Sequence, residues 1–389
     1  MTVNGLSILR SLAGHGVTTY GLDRDPSRIG FFSRSCRHRI LVPDPASSPQ
    51  GFLAGLRAAA SRSGSRPVLF IASDDYLAFF ARHRAEADEL FVHDLPSAET
   101  LDTILDKRKL AAAAAKASLA HPRTFWPSHP GEVRDMAGTL RYPVVLKPAL
   151  GHVARRQDLF RRDKLLVIES AAGLVDGFAR VLAAGVDVLV QELVPGPDHE
   201  IYLCYACYSR EGRPLSVFTK RKLRQFPIHA GYGCANESVR EPEAARLGQA
   251  FLESLSFRGL GGVEFKRDER DGRLKMIEVH GRTPMTGGIA VASGLDLPWI
   301  AYRDMTGEPV EPCSDFREGV RWFRVRHDWA ALRMYRREGS LGIRSWIRSY
   351  RRPRVFSTFS PSDPFILLKR FAWEALGPLR RFVRTAFFR

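Results

Sequence analysis

The sequence predicts an α/β protein with more than one domain, and three observations carry that prediction. Short apolar runs alternate with helical stretches through the first hundred residues, and two short strands flank a charged Asp271-Gly272 turn. At ~150 residues per domain, a chain of 389 residues has room for two or three domains. With 44% hydrophobic and 26% charged residues, wholesale disorder is excluded. No apolar run approaches the ~18 residues that a membrane span needs. The opening segment MTVNGLSILRSLAGHG has no basic stretch before an apolar run, so the chain reads as cytoplasmic.

The elements follow in order. LSILRSLA (6–13) places apolar side chains at 6, 8, 9, 12 and 13, a helical spacing. Thr18 to Leu22 reads as a strand closing on Asp23, and Ile40 to Val42 and Val68 to Ile71 read as further strands. Helical stretches at 50–60 and 75–91 separate them, which suggests a parallel sheet. A dinucleotide fold would need G-x-G-x-x-G directly after the first strand, and nothing fits, which argues against NAD or FAD.

Leu105 to Ala120 is rich in Ala, Leu, Lys and Arg and predicts a helix ending at His121-Pro122. Val144 to Leu146 is a buried-strand run that delivers Lys147 to its end, either as a solvated terminus or as a phosphate ligand. After a basic, irregular stretch, Lys164 opens another strand. Val188 to Val190 is a strand, and Gln191-Glu192-Leu193-Val194 leads into the breaker Pro195-Gly196-Pro197. Backbone groups just before such a break can pair with an adenine edge, with Asp198 and Glu200 where a ribose could lie. The alternative is an ordinary exposed turn. Cys204 and Cys207 form a lone C-x-x-C with no second pair at zinc-ligand spacing, so they read as thiols of a buried strand.

The sharpest local signal is GGVEFKRDERDGRLKMIEVHGRTP (261–284). A hairpin centred on Asp271 sets Glu264 opposite Glu278 on one face, with Val263, Phe265, Ile277 and Val279 on the other. Two carboxylates directly opposite repel unless a cation sits between them. A hard divalent ion such as Mg²⁺ supplies that cation and shares its remaining positions with phosphate and water. The alternative is a surface salt-bridge patch centred on Lys266.

Taken together, a strand ending in lysine, a second lysine, the Q-E-L-V-P-G-P-D segment and E-F-K…I-E-V-H-G-R resemble the ATP-grasp superfamily. The similarity is greatest to its carboxylate–amine ligases, and it covers about residues 1–310. The resemblance implies an ATP-grasp fold with an N-terminal pre-ATP-grasp α/β domain (1–104) and an ATP-grasp domain (105–310). The latter divides into a small lid (about 124–190) and a larger part (about 191–310), and a basic extension (311–389) follows. It implies that Lys147 and Lys164 hold ATP phosphates, with Lys107 at the start of the helix entering that region. Gln191, Glu192, Leu193 and Val194 would meet the adenine, and Asp198 or Glu200 the ribose. Glu264 and Glu278 would hold Mg²⁺, Arg282 would steady a phosphate or acyl phosphate, and Lys220 and Arg221 would line the triphosphate and substrate side. The implied reaction activates a small-molecule carboxylate as an acyl phosphate for attack by an amine, with ATP as the phosphoryl donor.

Three positions depart from the family pattern. The segment between the two lysines, GHVARRQDLFRRDK, resembles the flap of D-aspartate ligases more than a glycine-rich loop. His280 stands where an asparagine is usual, and an imidazole suits Mn²⁺ better than Mg²⁺. Met1 sits where the family's first strand would end, so either the start is truncated or the sheet is short by one strand.

The charge of +17 is concentrated late in the chain. Residues 311–389 hold seventeen Arg and one Lys against seven acids. Such a tail points to an anionic surface. No nucleic-acid module is evident, so nucleic acid is not the expected partner. Residues 364–389 place Leu379, Phe382, Val383, Ala386 and Phe387 on one helical stripe, with Phe365 to Leu368, Phe371 and Trp373 upstream. A basic amphipathic helix of this kind lies in the interface of an anionic membrane. The alternative is packing on the protein's own core or at a homodimer interface.

Overall fold

The structure, a computed structural model, describes residues 1–151 and 165–375. Lys164, most of the flap before it and the stripe at 379–387 lie outside the described residues.

Helix α1 (Val3–Gly14) buries Leu6, Ile8, Leu9 and Leu12, the face its periodicity predicts. Strands β1 (Tyr20–Asp23) and β2 (His38–Leu41) pair in parallel. The expected third strand, Val68 to Ile71, does not form. Only Val68 bridges to Val92, and a cavity of about 790 Å³ separates this run from β1. The Leu69 amide donates to the Val92 carbonyl and the Val92 amide to the Pro67 carbonyl, a single bridge and too short for a ladder.

Helix α2 (Pro49–Arg62) follows, and the helix expected over 75–91 breaks at His83 into α3 (Asp74–Arg82) and α4 (Arg84–Leu90). Ser73 caps α3 by accepting the Tyr76 amide, and Asp74 and Asp75 sit in its first turn, where carboxylates suit the helix dipole. Helix α5 (Ala98–Leu105) ends where the next helix was expected to begin. Asp106 is extended there and caps α6 (Lys107–Lys116) by accepting the Arg108 amide. Helix α6 stops short of His121 because Ser118 takes a positive φ of 52°.

A four-stranded antiparallel sheet follows, ordered β3 (Thr124–Phe125), β6 (Val188–Glu192), β4 (Val144–Pro148), β5 (Leu166–Ile168). Its core is Val144, Leu146, Val188 and Val190 against Leu174, Phe178 and Val181 of the helix Ala171–Ala183.

The main sheet has seven strands, ordered β11 (Leu274–His280), β10 (Gly259–Arg267), β7 (Ile201–Tyr208), β8 (Pro214–Phe226), β9 (Tyr232–Ser238), β12 (Arg321–Phe323), β13 (Arg354–Phe356). Residues expected as a basic extension thus contribute β12 and β13 to this sheet. One face packs on the helix Pro242–Ser254 and the other on the helix Leu297–Met305. Cys204 and Cys207 are buried on β7, three residues apart and therefore on opposite faces, one in each of these cores. They cannot share a ligand. The helix Pro242–Ser254 approaches so closely at Gly248 that a Cβ there would lie 2.6 Å from the Cys204 Cβ.

The helix Ile366–Ala375 divides the upstream apolar stretch between the two readings given for it. Ile366 and Trp373 pack on the protein's own core, against Leu6, Ile29 and Phe32. Phe365, Leu367, Leu368 and Phe371 are exposed, at 49–69% of their full area. Among the described residues no helix is long and apolar enough to cross a membrane.

Candidate active site

A pocket forms where the four-stranded sheet, the main sheet and α5–α6 meet. The four-stranded sheet supplies one of its cations. Val144, Val145 and Leu146 are buried, and Lys147 emerges from β4 to donate to Gln191 Oε1 at 2.6 Å. Gln191 Nε2 in turn donates to Thr124 Oγ1 at 2.9 Å, which fixes the amide's orientation. The Lys107 amide donates to the Ala149 carbonyl, and Asp106 bridges to Leu150. The first turn of α6 is thereby tied to the end of β4, and Lys107 and Lys147 line the same pocket.

The far end of β6 forms another wall of the pocket. Gln191, Glu192, Leu193 and Val194 all line the pocket. The amides of Glu192 and Leu193 donate to the carbonyls of Arg123 and Pro143, so Val194 carries the next amide along the chain. Asp198 and Glu200 do not line it. A short 3₁₀ turn (Asp198–Glu200) folds them away: Asp198 accepts the His229 amide at 2.9 Å and the Tyr335 hydroxyl. Burial pushes the Asp198 carboxyl up, but those two hydrogen bonds hold it below its usual range. Glu200 accepts from the Tyr202 hydroxyl at 3.1 Å and pairs with Arg267.

The hairpin supplies the carboxylates. Glu264 and Glu278 are Cα partners, as the Asp-Gly turn predicted. The register then slips by one, pairing Phe265 with Met276, so Ile277 leaves the core face and lines the pocket while Met276 takes its core place. Lys266 lines the same side.

Strand β8 corrects two assignments. Side chains alternate faces, so Lys220 and Lys222 share the Glu264 face and Arg221 points away. Lys222, which the sequence reading passed over, donates to Glu264 Oε1 at 2.7 Å and lines the pocket. Lys220 is buried one step behind and donates to Asn236 Oδ1 at 2.8 Å. Desolvation lowers its ammonium to about 7, partly offset by Glu264. Arg221 pairs with Glu237 at 2.9 Å on the opposite face, remote from the pocket. Burial pushes the Glu264 carboxyl up, as does Glu278. The Lys222 ammonium, with Lys220 and His280, outweighs both and holds it below its usual value.

Arg282 follows the pocket-lining Gly281 and makes a bidentate pair with Asp74 at 2.6 and 2.9 Å, joining the N-terminal unit to the main sheet. Asp74 itself lines the pocket. His280 also lines it, with Nδ1 3.9 Å from Glu278 Oε1. Among the described residues no three or more His, Cys, Asp or Glu side chains surround a common metal position.

The loop 229–231 is a further part of the pocket wall that sequence reasoning missed. Its signal was Gly231, where a Cβ would fall 2.1 Å from the Phe226 carbonyl carbon, so only glycine fits.

No protein-family model matches the chain. D-aspartate ligase of Enterococcus faecium (strain Aus0004) is 24% identical over 253 residues, which is 63% of this chain and 60% of that protein. The chain thus spans about 60% of the length of the curated relative it matches. The biotin carboxylase domain of Hydrogenobacter thermophilus 2-oxoglutarate carboxylase, solved with MgADP and bicarbonate, superposes with a TM-score of 0.62. Its sequence is 16% identical, and the match covers 82% of this chain and 71% of that one. L-amino acid ligase from Bacillus licheniformis gives 0.56 at 14% identity, covering 78% and 71%.

Proposed function

On this ATP-grasp fold, we propose that the chain is an ADP-forming ligase that joins a carboxylate to an amine. One observation carries the reading. Two lysines from the four-stranded sheet and α6 converge on one pocket with two facing carboxylates from the main sheet. That is the charge pattern phosphoryl transfer needs, since catalysis there consists of positioning and neutralising charge.

In this reading Lys107 and Lys147 hold the phosphates, and Glu192 and Val194 meet the adenine edge, Val194 through its backbone. A substrate carboxylate oxygen attacks the γ-phosphorus and ADP departs, leaving an acyl phosphate. The amine nitrogen then attacks the acyl carbon, phosphate leaves, and an amide forms with loss of the amine's proton. Arg282, oriented by Asp74, steadies the phosphate group.

Glu264 and Glu278 fit a hard divalent cation that takes two carboxylates and completes its shell with phosphate and water. Mg²⁺ there would neutralise charge on the transferred oxygens, and His280 would admit Mn²⁺. Lys222 holds the cation position beside Glu264 in this structure. Lys164 belongs to the proposal as a second phosphate ligand from the lid.

The exposed face Phe365, Leu367, Leu368 and Phe371, with Lys369 and Arg370 beside it, supports peripheral contact of the chain with anionic lipid.

The test is ADP and phosphate release on mixing ATP and Mg²⁺ with panels of carboxylates and amines. Release that requires one carboxylate and one amine together supports the ligase. Nucleotide binding without release under every pairing moves the chain to the non-catalytic ATP-binding class.

A further inference from the structure

Strand β8 is charged on both faces. Behind the pocket, Arg221 faces Glu237, which Arg321 of β12 holds from the other side at 2.9 Å. This Arg221–Glu237–Arg321 row lies at a cleft of about 590 Å³, also lined by Arg224, Arg348, Arg351 and Arg352. Its interior is built, not merely solvated. Arg224 is 6% exposed and fixed by a bidentate pair with Asp328 at 2.6 and 2.9 Å, and it donates to Ser349 Oγ at 3.1 Å. Arg321 donates to the Ser349 carbonyl at 2.7 Å.

The carboxylates present are already committed. Glu237 is shared by two guanidiniums, and Asp328 also accepts from Trp346 Nε1 and the Tyr350 hydroxyl. Among the described residues no ion pair reaches Arg348, Arg351 or Arg352, which are exposed at the rim. Six guanidiniums therefore meet two carboxylates. A guanidinium is a rigid fork that matches phosphate oxygens two at a time, and several forks around one concavity select a ligand with more than one phosphate oxygen to offer.

We infer that this cleft is a second anion site, on the opposite side of β8 from the nucleotide pocket, and that it takes a ligand bearing phosphate groups. Such groups come either from a soluble phosphorylated molecule or from a lipid headgroup. The inference does not depend on the ligase reading, because it uses residues outside that pocket.

The test uses the full chain and two probes. Pyrophosphate binding is followed by calorimetry, and sedimentation with phosphatidylglycerol-containing vesicles is compared with phosphatidylcholine alone. The variants are Arg348→Ala/Arg351→Ala/Arg352→Ala, all at exposed positions, and Lys147→Ala, which addresses the nucleotide pocket. The triple variant should weaken one probe by about tenfold or more while retaining ATP binding. Loss of pyrophosphate identifies a soluble ligand, and loss of vesicle binding identifies a headgroup. If both probes bind the triple variant as they bind the natural chain, the inference is overturned. It is equally overturned if vesicle binding is unchanged in the triple variant and pyrophosphate binding disappears only in Lys147→Ala.

Discussion

Replacing Lys222 by methionine removes the ammonium that Glu264 holds at 2.7 Å, in a pair whose side chains are 8% and 10% exposed. At that separation the Coulomb attraction is of order 6 kcal/mol for an effective dielectric of ~20, much of it offset by desolvation of both ions. Breaking such a pair from one side costs about 3–5 kcal/mol, because a buried carboxylate is left uncompensated. Glu278, directly opposite, pushes the cost toward the upper end, and Lys220 pulls it back.

The pH dependence gives a second reading. In the natural chain Glu264 titrates below its unfolded value, so its contribution is present above ~4.3 and is lost as pH falls through the folded value. In Lys222→Met, burial and Glu278 prevail and raise it. Its contribution is then present below ~4.3 and is lost as pH rises through the folded value. The stability gap between the two proteins should therefore widen from about pH 5 to about pH 7.5. Urea unfolding followed by circular dichroism measures it, and added Mg²⁺ should narrow the gap by restoring a cation beside Glu264. A gap below about 1 kcal/mol that is the same at both pH values refutes this reasoning.

Glu278→Gln is expected to abolish ADP release while leaving the far-ultraviolet spectrum unchanged, at a cost of several kcal/mol of charge stabilisation. Natural turnover in that variant at saturating Mg²⁺ would remove the metal assignment. Lys147→Ala should weaken ATP binding by about tenfold or more in calorimetry, and unchanged affinity counts against its phosphate role. Gly248→Ala should destabilise the main sheet by about 1–3 kcal/mol in urea unfolding, because its Cβ has no room beside Cys204. Arg282→Ala should cost ~1.5–3 kcal/mol through loss of the pair with Asp74.

What the sequence made legible was what short-range rules govern. The Asp271-Gly272 turn and strand alternation were enough to set Glu264 against Glu278. The one-residue bulge that turns Ile277 toward the pocket left no mark, because isoleucine suits either face. Choosing among Lys220, Arg221 and Lys222 needed the phase of β8, and the run FTKRKLRQ has too few apolar residues to show it. Asp198 and Glu200 failed for a different reason. Their partners Tyr335, His229 and Arg267 lie far along the chain, and only the folded backbone brings them near. Val68 to Ile71 has strand composition, but a strand also needs a neighbour along its whole length, and this run meets one only at Val92.

The packing of Ile366 and Trp373 on Leu6, Ile29 and Phe32 has a consequence for the order of events during synthesis. A ribosome adding ~5–20 residues each second takes roughly 20–70 s to travel from the first of these partners to the last. Through that interval the patch of Leu6, Ile29 and Phe32 that these two side chains cover stands open, although most of the chain around it has already emerged. The nascent protein therefore presents a late-closing seam, open to chaperones or to a neighbouring nascent copy. A ribosome stalled before residue 366 holds it open for as long as it pauses.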